Sequence, residues 1–415
     1  LGATGQRAQL LRQRGGDEES KALRAQIEAK LPKTNPLDQF LILMDGISKD
    51  TENLPAPTEA RLKELEKLYP NDFEVYFIGG HFYMRANNFP MAIQYFEKTL
   101  RLAPWMAQVH NQLGYLYTYV CKYDKAIQHL EAYARLLPER ANPHDSLGET
   151  YYMTGRYEDA IREFQSALAI SPSFTEASYH LIDAYSATGQ YDKALQQALR
   201  MYESSDSPDW KVRALMSISE IQQHRGNLDL AREKAQAAID LRPEAFSPLY
   251  RLALVQIAQG DFPGVQATLE KWQKQFSPLA NGKKSPKSED LKRMYDYLVA
   301  RMNEAMGNFQ AAIQGFQRVS DNIPVVHRSI DVRRDLAESY FAAGQPDRAR
   351  EILGQIMAVN PNHVASLLLA AKIAASQSKN AEARDYLARC QTVLKQADPR
   401  TPITRDVQQL LRQVK

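Results

Sequence analysis

The sequence predicts an all-α fold, a solenoid of about ten antiparallel helix pairs ended by a C-terminal capping helix. Three observations predict it. Residues spaced 34 apart fall into columns over most of the 415-residue chain. Within each period, apolar residues recur at helical spacing for about 14 residues, stop, and then recur again. Alanine fills one column in eight of ten units, far above its background usage.

The units begin at Gln39, Phe73, Ala107, Ala141, Thr175, Val212, Phe246, Arg293, Ile330 and Val364. Position 8 is Gly80, Gly114 and Gly148 in three successive units, and position 20 is Ala92, Ala126, Ala160 and Ala194 in four. Small residues there let paired helices approach closely. Position 15 is glycine at Gly155, Gly189, Gly226, Gly260, Gly307 and Gly344, as a left-handed turn ending a helix requires. Prolines near position 32 (Pro104, Pro138, Pro172) stop the second helix before the next unit. No single pair can bury its apolar face, so each leans on its neighbours.

These columns resemble the tetratricopeptide repeat (TPR) family over residues 39 to about 396. The units at Ala107 and Ala141 match best, through Leu113-Gly114, Tyr117, Tyr123, Ala126 and Pro138, then Leu147-Gly148, Tyr151, Gly155, Tyr157, Ala160, Phe164 and Pro172. The resemblance implies a right-handed superhelix, a bacterial source and a non-enzymatic scaffold or adaptor. The run at 137–148 is also similar to TPR regions fused to bacterial kinases and regulators. Two alternatives therefore stand beside the scaffold: the docking region of a larger kinase or transcription regulator, and a structural subunit of a cell-envelope or filamentous assembly.

Departures from the period set the expected domains. Two spacings of 37 add short turns near 204–210 and 322–328. One spacing of 47 brackets 274–292, with Pro278, Asn281-Gly282, Lys283-Lys284 and Ser285-Pro286, which reads as a basic loop insert. The expected division is a lead-in with one helix over 1–38, a first array over 39–273, the loop, a second array over 293–396 and a cap over 397–415. The chain starts Leu1-Gly2-Ala3 without methionine, as a processed or truncated chain would. Compartment stays open between cytoplasm and, if a leader was removed, periplasm or exterior.

By resemblance to TPR geometry, positions 2, 5, 9 and 12 line a concave groove. The candidate partner-binding residues among them are Phe77, His81, Asn111, Tyr115, Asp145, Glu149, Tyr152, Tyr179 and Asp183. Tyrosine gives stiff amphipathic contact area, amides grip a peptide backbone, and carboxylates favour Lys or Arg on the ligand. The expected partner is thus a protein or peptide presenting Lys/Arg or apolar residues. The Lys/Asn clamp by which some TPR adaptors hold a C-terminal carboxylate is absent at these positions. Later units read differently, with Met294, Tyr297, Arg301 and Glu304, then Asp331, Arg334, Glu338 and Phe341. Their mixed signs fit a separate surface or an intramolecular packing face.

Composition narrows the chemistry. Lys and Arg total 52 against 49 Asp and Glu, a net charge of +3, so no nucleic-acid partner is expected. No apolar run approaches the roughly 18 residues a membrane span needs. Two cysteines, Cys121 and Cys390, exclude a disulfide framework. His110 and His144 share position 4 of adjacent units but lack the further ligands a zinc site needs, so no metal or cofactor is expected. Phosphate loops, nucleophile elbows and His-Glu-x-x-His motifs do not occur.

Overall fold

The computed structural model describes residues 56–280, 286–323 and 329–414. Twenty helices, and no strand, occur among the described residues. Helix α1 (Ala56–Leu68) is the second helix of the unit expected at Gln39. Its first helix and the lead-in with its one expected helix over 1–38 lie outside the described residues. Two compact units follow from the pattern of contacts, one ending at Leu137 and the other running from Pro138 to the C-terminus.

The N-terminal unit adds two pairs to α1: α2 (Phe73–Arg85) with α3 (Phe89–Leu102), and α4 (Ala107–Tyr119) with α5 (Tyr123–Leu136). Its core joins Leu62 and Leu65 of α1 to Phe82, Tyr83, Phe96 and Leu113, all essentially inaccessible to solvent.

The C-terminal unit contains seven pairs. They are α6 (Ala141–Met153) with α7 (Tyr157–Ile170), α8 (Thr175–Ala187) with α9 (Tyr191–Ser204), and α10 (Pro208–His224) with α11 (Leu228–Leu241). Next come α12 (Phe246–Gln259) with α13 (Phe262–Ala280), then α14 (Pro286–Ala305) with α15 (Phe309–Asp321). The last two are α16 (Ile330–Ala342) with α17 (Pro346–Val359), and α18 (Val364–Ser376) with α19 (Asn380–Val393). A final helix, α20 (Pro402–Gln413), buries Val407 and Leu410 against Leu387 and Cys390 of α19, as the expected cap does.

Packing explains the columns. Every position-20 residue from Ala92 to Ala383, Val265 included, is fully buried. At position 8, a Cβ built on Gly148 would lie 2.6 Å from the Phe164 ring, and one on Gly114 would lie 2.5 Å from Leu130. Glycine is the residue that lets the large side chain at position 24 press onto the first helix.

The position-15 glycines have φ between 69° and 83°, and where glycine is missing the chain still turns left-handed, at Asn87, Cys121 and Ser378. For Cys121, at φ 58°, the Cβ makes that conformation unfavourable. We expect Cys121→Gly to stabilise the N-terminal unit by about 0.5–1 kcal/mol. A higher urea midpoint at unchanged slope would show it.

The segment expected to be a basic loop is mostly helix. Residues 274–280 extend α13 and 286–292 open α14, giving helices of 19 and 20 residues where the other paired helices run 13 to 17. Residues 281–285, with the Lys pair, lie outside the described residues. Nor do the compact units part here. Leu291 and Leu298 of α14 share one core with Leu252 of α12 and Trp272 of α13, so packing continues across the insertion.

Candidate interaction face

The nine candidate residues fall in both units. In the N-terminal unit, Phe77 and His81 lie one turn apart on α2 with their rings edge-on at 4.7 Å, and both rest on Phe96. Burial lowers the His81 pKa, and the Arg85 charge lowers it further. Asn111 on α4 keeps a buried Oδ1 that accepts no hydrogen bond among the described residues. Tyr115, one turn on, is 44% exposed. This part of the face is therefore neutral and aromatic, with one unused acceptor.

In the C-terminal unit the residues are coupled. Asp145 on α6 is buried and accepts a 2.8 Å hydrogen bond from His180 Nδ1 on α8. Asp145 is thus not a free groove carboxylate, because the neighbouring repeat already uses it. Tyr152 packs edge-on against Tyr157 at 5.6 Å. The Arg213 guanidinium of α10 lies over both the Tyr179 ring at 5.2 Å and Trp210 at 5.1 Å. Tyr152, Tyr179, Asp183 and Glu149 all keep part of their surface open to solvent.

Electrostatics show which side chains share this interior. Burial, then the charge of Glu220 on α10, pushes the Asp183 carboxyl up to about 7. Burial is likewise the main cause of the raised pKa values of Tyr152 and Tyr250. The Asp331 carboxylate on α16 adds to all three. Side chains from α6, α8, α10, α12 and α16 therefore act on one another electrostatically within the C-terminal unit.

His180 gives a pH prediction. Burial opposes its charged form, but the Asp145 hydrogen bond and the charges of Asp145, Glu149 and Asp183 outweigh it, so its pKa is raised above 6.5. A raised folded-state pKa stabilises the fold below about pH 6.5 and loses that contribution as pH rises through the folded value. Urea midpoints compared at pH 6 and pH 8.5 are expected to show this loss for the native chain. In Asp145→Asn the His180 part of the difference disappears.

The mixed-sign residues of later units form an intramolecular network. Asp335 is fully buried, with Tyr297 Oη donating to it at 2.5 Å and guanidinium nitrogens of Arg334 and Arg301 at 2.7 and 3.2 Å. Arg301 also reaches Glu304 at 2.5 Å, and Arg334 reaches Glu338 at 2.9 Å. Of the two sequence readings for this face, the packing face holds for these five charged groups. Asp331, one turn before Asp335, stays exposed.

His110 and His144 pair within their own repeats. His110 Nδ1 lies 3.1 Å from His129 Nδ1, and His144 Nδ1 lies 2.7 Å from Glu163. Burial and its like-charged partner His110 hold the His129 pKa down to about 4, which keeps that pair uncharged near neutrality. Among the described residues no group of three or more potential ligands converges on a metal position. Cys121 and Cys390 are both free thiols, the first exposed and the second buried.

Tetratricopeptide repeat profiles match residues 105–173, 151–215, 247–271 and 303–373. The chain is a tetratricopeptide repeat protein. TPR arrays are, in general, protein-interaction scaffolds and generally non-catalytic. Among solved structures, a TPR protein from Parabacteroides merdae is 14% identical with a TM-score of 0.41, over 66% of this chain and 98% of that one. MamA is 24% identical with a TM-score of 0.37, over 40% of this chain and 95% of its own. YrrB, a TPR protein with an unusual peptide-binding site, is 21% identical at 0.37, over 46% and 96%. No curated protein matches the chain. No helix among the described residues is long and apolar enough to cross a membrane.

Sequence reasoning passed over Glu220, His180 and Arg213, which the repeats bring beside Tyr179 and Asp183. Glu220 and Arg213 sit on α10, where an insertion shifts the 34-residue register. His180 is at position 6, next to a groove position, and only its contact with Asp145 reveals its role.

Proposed function

We propose that the protein is a non-enzymatic scaffold that takes a peptide or protein segment along its concave face, through Tyr152, Tyr179, Asp183 and Glu149 in the C-terminal unit. Phe77, His81, Asn111 and Tyr115 serve the N-terminal unit in the same way. One observation carries this reading: Asp183 is desolvated enough to titrate near 7, has no ion-pair partner among the described residues, and stands beside two half-open tyrosines. A cationic side chain would relieve that penalty. Stability alone gives no reason to hold the carboxylate there, which supports a role in contacting a partner.

Selection from a display library of random 12-residue peptides tests the proposal. Peptides rich in Lys or Arg are expected to be enriched, and Tyr115→Ala with Tyr152→Ala is expected to lose them at unchanged helicity. Asp183→Asn should weaken capture while raising stability above pH 7, because it removes a charge that the fold penalises. Retained capture in both variants would move the interface elsewhere.

A further inference from the structure

The C-terminal unit closes on itself. Asn362 Nδ2 donates to the Gly155 carbonyl at 3.0 Å, and Asn360 Nδ2 to the Tyr157 hydroxyl at 3.0 Å, across 207 and 203 positions of sequence. Beside them Lys395 forms an ion pair with Glu158, and the Asp398 amide donates to the Gly189 carbonyl at 3.3 Å. The seam is close-fitting. A Cβ on Gly189 would stand 2.6 Å from that of Ala397, and one on Gly155 would collide with Asn360. Inter-helix turns of the first repeats thus meet the chain that follows α17 and α19, and the concave face is wrapped rather than open.

The wrapped face also has an unmet charge. Asp183 and Asp331 have no ion-pair partner among the described residues, and Glu220 comes only within 3.9 Å of Arg251. The cations nearby are engaged elsewhere. Arg334 and Arg301 are held by Asp335, Glu338 and Glu304, and Arg213 is stacked on Tyr179 and Trp210. We propose that the C-terminal unit is a closing clamp that encircles an extended peptide segment bearing Arg or Lys side chains, and that it opens at the seam joining Gly155 and Glu158 to Asn362 and Lys395. This rests on the concave face being the binding face.

Release of a fluorescein-labelled peptide of alternating Arg and Gly from the full chain tests the clamp, with a Glu–Gly peptide as control. Asn362→Ala with Lys395→Glu is expected to release the Arg–Gly peptide about ten-fold faster than the native chain. Adding Glu158→Lys restores the pair with reversed charges and is expected to recover slow release. Both side chains are more than half exposed, at 52% and 62%, so the swap leaves the core intact. Equal release from native and seam-broken chains overturns the clamp and leaves the binding face standing. Failure of the native chain to bind the Arg–Gly peptide, or equal binding of the Glu–Gly peptide, overturns both.

Discussion

Replacing Phe164 by alanine is expected to destabilise the C-terminal unit by about 3–5 kcal/mol, the cost of deleting a buried aromatic ring. Phe164 is 1% exposed and presses onto Gly148 of the paired helix. Collapse cannot refill the space cheaply, because Ala160 and Ala167 on the same helix are already fully buried. Gly148→Ala creates the opposite fault, a Cβ at 2.6 Å from the ring, with a cost of about 1–3 kcal/mol. The two changes should be strongly non-additive, since truncating the ring makes room for the methyl group. Urea unfolding of the four chains in a double-mutant cycle checks this, and additive losses would show that the two positions do not share one contact.

Asp335→Ala carries the second large effect, a loss of about 3 kcal/mol, the low end for breaking a buried ion pair. The carboxylate is fully buried, whereas Arg301 and Arg334 keep 25% and 23% of their side chains exposed, so water recovers part of the loss. Removing Asp335 leaves two cations side by side and the Tyr297 hydroxyl without its acceptor. Asp335→Asn keeps an acceptor for Tyr297 but not the charge. Its loss should be smaller, and the difference between the variants separates the hydrogen bond from the ion pairs. Thermal melts followed by circular dichroism give both values.

Much of the fold was legible because its demands are local and periodic. A fully buried residue at position 20, alanine in eight of ten units, and a left-handed turn at position 15 recur from Phe73 onward, so each column repeats the same steric requirement. Where glycine was missing, as at Cys121, the column still fixed the backbone. Residues 274–292 misled because Pro278, Asn281 and Gly282 are turn formers, while the packing of Leu291 and Leu298 decided that flanking residues stay helical. The candidate face was legible only as a set of register positions. Asp145 looked like Asp183, yet one is bonded to His180 and the other is open, a distinction that belongs to neighbouring helices. Asn360 and Asn362 carried no signal, because their partners lie about two hundred residues away and the accumulated rotation of the repeats brings them together.

A linear array of repeats ordinarily loosens from its ends, since a terminal repeat is held on one side only. The seam removes that free end from the C-terminal unit. Helices α18 and α19 are anchored by α17 and α20 and, through Asn362 and Lys395, by the turn that follows α6 and the first turn of α7. Fraying must then break contacts at both places at once. Amide exchange in the last repeats becomes tied to that in the first, and melting of this unit takes on the sharpness of a globular domain.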